Sequence, residues 1–202
     1  MADALLTKEA LIKFEEEIKE CFLRGEIRAP IHLAGGNEEQ LINIFKDIKP
    51  GDWVFSTYRS HYHALLKGIP REELKRQILA GRSMHINSRE HKFFTSSIVG
   101  GILPIALGVS IANQRTAKKE RVWVFIGDMA AETGTAHEVI NYAVRHDLHD
   151  YLTIVIEDNG YGVNTPTEEV WGGYSLYPAL VKRYRYQCVY PHQGAGVFVE
   201  FK

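Results

Sequence analysis

The chain has 202 residues, with 24 lysines and arginines against 25 aspartates and glutamates and a formal net charge of −1. That length suits one α/β domain with a real core, and near-neutrality excludes the global field that would draw nucleic acid or an anionic membrane. Cys21 and Cys188 have no Cys-x-x-Cys or metal-ligand spacing, and no basic-plus-apolar leader begins the chain, so a reducing cytoplasm is the expected setting.

In chain order, the first predicted element is an amphipathic helix over 7–24. Thr7 caps it, and Leu11, Phe14, Ile18 and Cys21 fall on one face. "GGNEEQLINIFKDIKPGD" reads as a second helix closed by Pro50-Gly51, followed by "DWVFST" as a short buried strand and "YRSHYH" as a turn. "REELKRQILA", 71–80, is a short helix; "RSMHINSREHKFFTSS" has no period and reads as a loop. "VGGILPIALGVSIA", 99–112, is too short to cross a bilayer and is expected to be a buried helix.

"VWVFI" at 122–126 and "LTIVI" at 152–156 are continuous apolar runs, the pattern of parallel strands buried on both faces. Between them, Thr135-x-x-Glu138 forms a capping-box pattern, and Val139, Ile140, Ala143 and Val144 make an apolar stripe, which completes a βαβ unit. "RYRYQCVY", 183–190, fits a strand or subunit contact better than a nucleic-acid surface, and "GVFVEF", 196–201, is the last predicted strand. No repeat or low-complexity linker divides the chain. The expected fold is a single three-layer α/β/α domain over 1–202 with a mostly parallel central sheet.

In such sheets ligands gather at the carboxyl ends of the strands. Asp128 and Asn159, 31 residues apart, both follow predicted strands. A carboxylate oxygen, an amide oxygen and a nearby main-chain carbonyl make an incomplete oxygen cage, of the kind Mg²⁺ accepts when phosphate and water fill the remaining positions. Among the histidines, His146 and His149 read as surface or capping residues, His137 as structural, and His63 and His91 as loop residues.

Gly127-Asp128, then Asn159-Gly160-Tyr161-Gly162, resembles the thiamine-diphosphate signature of the α subunit of E1 components of 2-oxo acid dehydrogenases. "IHLAGGNEEQ", "STYRSHYHALLKG", "SMHI" and "SSIVGGILPIALGVSIA" extend the resemblance in the family's order, over roughly residues 25–166. It implies a thiamine-diphosphate-binding fold, with Mg²⁺ held by Asp128, Asn159 and the carbonyl of Tyr161. By the same resemblance Tyr58 and Arg59 meet the diphosphate, and Ser97 and Val99 meet the aminopyrimidine. Gly127, Met129, Ala130 and Gly162 complete the cofactor contacts. His61 lies over the active centre, with His32 and His85 as further reaction-site histidines.

The implied activity is decarboxylation of a 2-oxo acid and transfer of the resulting unit, possible only with a β-type chain that carries the pyrimidine-binding domain. An α₂β₂ heterotetramer and a lipoyl-bearing acyltransferase are the implied partners. Two alternatives are the amino half of a split transketolase-like transferase and a non-catalytic subunit that keeps the fold. The chain departs from the family pattern at Met129, where a glycine is usual, and at Asp158, where an asparagine is usual. It also lacks the histidine loop that follows the metal motif, for which His192 is a candidate substitute. If position 129 requires a positive φ, methionine is strained there.

Overall fold

The computed structural model describes residues 6–162, 165–172 and 181–185. The predicted strand at 196–201, His192 and Cys188 lie outside them. Helix α1, Lys8–Leu23, starts at Thr7, whose side chain accepts from the amide of Ala10. Its apolar stripe buries Leu11, Phe14 and Ile18. Helix α2, Glu38–Phe45, stops four residues short of Lys49-Pro50. The backbone ahead of a proline is pushed from the helical region, and here the chain leaves it earlier, turning through Asp47 and Ile48 onto the carbonyls of Ile44 and Phe45.

Strand β1, Trp53–Ser56, leads to helix α3, His61–Leu66. Residues 61–63 were expected in a turn; their near-complete burial shows that tertiary packing, not a cap, makes this short helix. Helix α4, Arg71–Gln77, runs into a π-turn over Ile78–Arg82 that Gly81 ends at φ +78°. Glu17 of α1 pairs with Arg71 and Lys75 of α4.

Within the expected loop lies strand β2, Phe93–Thr95, in parallel register with β1: Val54 faces Phe93 and Ser56 faces Thr95. Three residues are too few to display alternation, so the pairing with β1 defines the strand. Helix α5, Ile102–Arg115, is followed by strand β3, Val122–Gly127, and the one-turn helix α6, Asp128–Ala131. Helix α7, Gly134–Arg145, is capped by Thr133 rather than Thr135, through acceptance from the amide of Ala136. Strands β4, Leu152–Asp158, β5, Tyr161–Gly162, and β6, Thr165–Pro166, precede helix α8, Thr167–Trp171, and strand β7, Val181–Arg185.

The main sheet is parallel, in the order β2-β1-β3-β4-β7. Alternate residues feed opposite faces. Trp123, Phe125, Val54 and Val155 enter one core with α1 to α4, while Val122, Val124, Ile126, Ile154 and Ile156 enter the other with α5 to α7. Three layers result. Strand β7 includes residues 183–185 of the basic-aromatic segment and pairs with β4 as the last of the described strands in the sheet order.

Helix α5 is not buried all round, as its composition suggested. Ile102, Leu103, Ala106 and Ser110 face the core, whereas Pro104, Ile105, Gly108 and Ala112 are exposed.

Candidate functional site

The chain lays β2 on one side of β1 and then crosses to lay β3 on the other. This topological switch opens a crevice at the carboxyl ends of β1 and β3, the place where parallel α/β sheets take ligands. A cavity of about 150 Å³ lies there. Thr57, Tyr58 and Arg59 after β1 form one wall, Gly127 to Ala130 after β3 a second, and Glu157, Asn159, Tyr161 and Gly162 around the end of β4 a third. Ile98 and Val99, 71% and 55% exposed, leave an open apolar side.

Asp128 starts α6 at the floor and is 1% exposed. Its Oδ2 accepts from the hydroxyl of Thr167 at 2.7 Å. Burial raises the Asp128 carboxyl above its ordinary value; the Thr167 bond pulls it down and neighbouring Asp158 pushes it up. A cation beside it would stabilise the charged form against that burial. Asn159 Oδ1 accepts from the amide of Tyr161 at 3.1 Å, and Asp158 Oδ1 accepts from the amide of Gly160 at 3.2 Å. These paired side-chain turns, with Gly160 at φ +77°, fold residues 158–161 tightly over the strand end.

Met129 carries no backbone strain. It lies within α6, and among the described residues the non-glycine positions of positive φ are Lys92, Ala117 and Asp147. Its side chain instead covers Gly162, where a Cβ would stand 2.4 Å from Met129 Cε. The indole N–H of Trp171 donates to Met129 Sδ at 2.8 Å.

Tyr58 and Arg59 line the cavity, and the Tyr58 ring stands 4.4 Å from that of His32, which is buried behind it and does not line the cavity. The Tyr58 phenol is raised chiefly by burial, with Arg59 opposing and Asp128 and Glu157 adding to the rise. Ser97 is half-buried next to the apolar wall but does not line the cavity. His85 is exposed on the loop after the π-turn, also outside it.

His61, expected over the active centre, does not line the cavity. The ring is fully buried, with Nδ1 3.0 Å from Glu15 Oε2 and Nε2 2.9 Å from Ser83 Oγ, so both nitrogens are engaged away from the cavity. His63, expected in a loop, is the histidine beneath the site. It packs at 4.3 Å on Phe125, its Nδ1 is 2.7 Å from Ser56 Oγ, and its Nε2 is 3.3 Å from Glu157 Oε2. Thr57, Ile98 and Glu157 are the cavity residues that sequence reasoning missed; of these Glu157 is ionisable, and its Oε1 accepts from Asn37 Nδ2 at 2.8 Å. Its place at the end of a buried strand, two residues before Asn159, was the available signal.

Among the described residues no three His, Cys, Asp or Glu side chains cluster as a metal cage. The donors at hand, one carboxylate with an amide and main-chain oxygens, suit a hard cation that shares its shell with a ligand's oxygens. Fold and site together define a parallel α/β protein whose ligand cleft occupies the topological switch.

The chain belongs to the dehydrogenase E1 component family, which it matches over residues 7–178. It is 31% identical over 165 residues to the alpha subunit of acetoin:2,6-dichlorophenolindophenol oxidoreductase of Bacillus subtilis, covering 77% of this chain and 49% of that one. The Cupriavidus necator subunit of the same name is 32% identical over 162 residues, covering 75% and 48%. The pyruvate dehydrogenase E1 component subunit alpha of Zymomonas mobilis is 31% identical over 164 residues, covering 76% and 46%. The chain thus spans about half the length of these relatives.

Proposed function

We propose that this chain is the cofactor-binding half of a two-chain thiamine-diphosphate-dependent enzyme that decarboxylates a 2-oxo acid. The observation that carries this reading is the meeting, in one cavity at the switch point, of Tyr58 and Arg59 with Asp128 and the turn at Asn159. These segments are far apart in sequence. The donor set fits the cofactor: Arg59 offers a planar guanidinium to phosphate oxygens. Asp128, the Asn159 amide and the Tyr161 carbonyl would hold Mg²⁺, which neutralises a diphosphate and fixes its orientation.

When bound, the cofactor would supply the electron sink for loss of CO₂. The chain's own residues bind and orient. Tyr58, half-buried and backed by the buried His32, forms one wall. Glu157 sits in the floor with His63 against one oxygen and Asn37 against the other. Ile98 and Val99 offer an apolar surface from which water is readily displaced.

Two features support a β-type partner chain. A cavity of about 150 Å³ is small beside the roughly 300–1,000 Å³ of small-molecule sites, a shortfall that a partner's walls would make up. The apolar side of that cavity continues toward α5, whose exposed face carries the apolar residues Pro104, Ile105 and Ala112. The names of the relatives, alpha subunits of larger enzymes, support the same reading. We place the assembly as α₂β₂ in the cytoplasm, passing its product to a lipoyl-bearing acyltransferase.

Calorimetry with thiamine diphosphate tests the reading. Binding that requires Mg²⁺ and disappears in Asp128→Ala is expected. Binding indifferent to both would refute the assignment.

A further inference from the structure

We propose that Thr167 is a positioning residue of the cation site, the joint that fixes the spacing between Asp128 and the turn at Asn159 to Tyr161. The inference rests on the reading above, in which those two segments share a divalent ion. Asp128 follows β3 and the turn follows β4, so each arm stands on a different strand end. Thr167 touches both. Its hydroxyl donates to Asp128 Oδ2 at 2.7 Å, and its own amide donates to the carbonyl of Gly160, between Asn159 and Tyr161, at 2.9 Å.

Both side chains of the hydroxyl–carboxylate bond are 1% exposed, so water does not compete for it. The chain returns Thr167 to this point by a defined route: β5 and β6 pair antiparallel, Tyr161 with Pro166 and Gly162 with Thr165, and α8 begins at the next residue. The contact is therefore built into the loop, with the side chain on one arm and the main chain on the other.

The same helix makes a second contact one turn later. Trp171, at i+4 from Thr167, shares its face and reaches Met129 Sδ at 2.8 Å. Helix α8 thus grips the consecutive residues Asp128 and Met129. The methionine side chain fills the space between Trp171 and Gly162, which a glycine at 129 would leave open. The departure at 129 and the clamp are parts of one arrangement. A hydrogen-bond donor behind a ligating carboxylate fixes its orientation and costs roughly ten- to a hundredfold in metal affinity when removed.

The test uses the full chain with saturating thiamine diphosphate and Mn²⁺ in place of Mg²⁺, the bound ion being read by electron paramagnetic resonance. Thr167→Val removes the hydroxyl but keeps the amide and the shape; Thr167→Ala is the second variant should valine disturb folding, as checked by circular dichroism. A loss of Mn²⁺ affinity of roughly ten- to a hundredfold, with an altered spectrum of the bound ion, is expected. Thr167→Ser, which restores the donor, should return both to the wild-type values. Wild-type affinity and spectrum in the folded hydroxyl-less variant would overturn the clamp alone, as would a serine variant that fails to recover. A wild-type chain that binds no Mn²⁺ even when joined by its β-type partner would instead overturn the cation reading beneath it.

Discussion

Removing the carboxylate of Glu15 tests how firmly α1 holds the segment that carries Tyr58 and Arg59. Glu15 is fully buried, accepts the amide of Ala34 at 3.0 Å, and meets His61 Nδ1 at 3.0 Å. His61 opens α3 directly after Arg59 and Ser60, so this carboxylate ties three distant stretches of chain. In Glu15→Ala the Ala34 amide and one imidazole nitrogen lose their partner in a site water cannot enter. Breaking a buried pair from one side costs about 3–5 kcal/mol. In a chain of this size each kcal/mol moves Tm by about 2–4 °C, so a fall of roughly 6–20 °C is expected. Glu15→Gln keeps one acceptor oxygen and should lose less. Urea denaturation with unchanged m and scanning calorimetry measure both variants. A loss below about 1 kcal/mol for Glu15→Ala, the level of an ordinary surface ion pair, would refute the reasoning.

Three further outcomes follow from named contacts. Because burial raises the folded-state carboxyl of Asp128, its stabilising contribution belongs to the protonated form and is lost as pH rises through the folded value. The metal-free Asp128→Asn chain should therefore melt no lower than wild type at pH 7. The Mg²⁺–thiamine diphosphate increment, about 2.7 kcal/mol at a hundred times Kd, should vanish, and differential scanning fluorimetry reads both. Met129→Gly should cost about 1 kcal/mol of helix propensity and shift Trp171 emission to the red as the indole loses its sulfur contact; an unchanged spectrum would place Met129 elsewhere. Lys67, lowered to about 8 chiefly by burial, with Asp52 opposing and Lys92 adding, should be charged below that pH and neutral above it. Reductive ¹³C-methylation followed by NMR titration should show one lysine resonance with a midpoint near 8, and midpoints all above 10 would contradict it.

Legibility in the sequence tracked length and burial. Strands β3 and β4 were plain because six and seven successive residues are apolar or shielded on both faces. Strand β2 was not, since three residues carry no period and its identity comes from β1 across the sheet. The cap of α7 was misplaced by two residues because Thr133 and Thr135 are chemically alike; only the backbone decides which hydroxyl reaches a free amide. Asp128 and Asn159 were readable because they follow strand ends, where topology rather than side-chain packing fixes their place, whereas Tyr58 and Arg59 were named from the family resemblance and line the same cavity after β1.

The histidines show why that legibility stops at the walls. His61 and His63 are two residues apart, and on a helix with 3.6 residues per turn that spacing is about 200°. They must face nearly opposite ways, yet nothing local in "SHYHA" says which ring turns toward the ligand. The choice is made by distant partners. Glu15 lies 46 residues earlier and takes His61, while Glu157 lies 94 residues later and stands beside His63. Each pairing places a carboxylate against an imidazole in a buried setting, where an isolated charge is costly, so the core rather than the cofactor motif set the rotation of α3. Reading the motif alone assigned the ring that anchors α1; the ring below the cavity became visible only once Glu157 was placed in its floor.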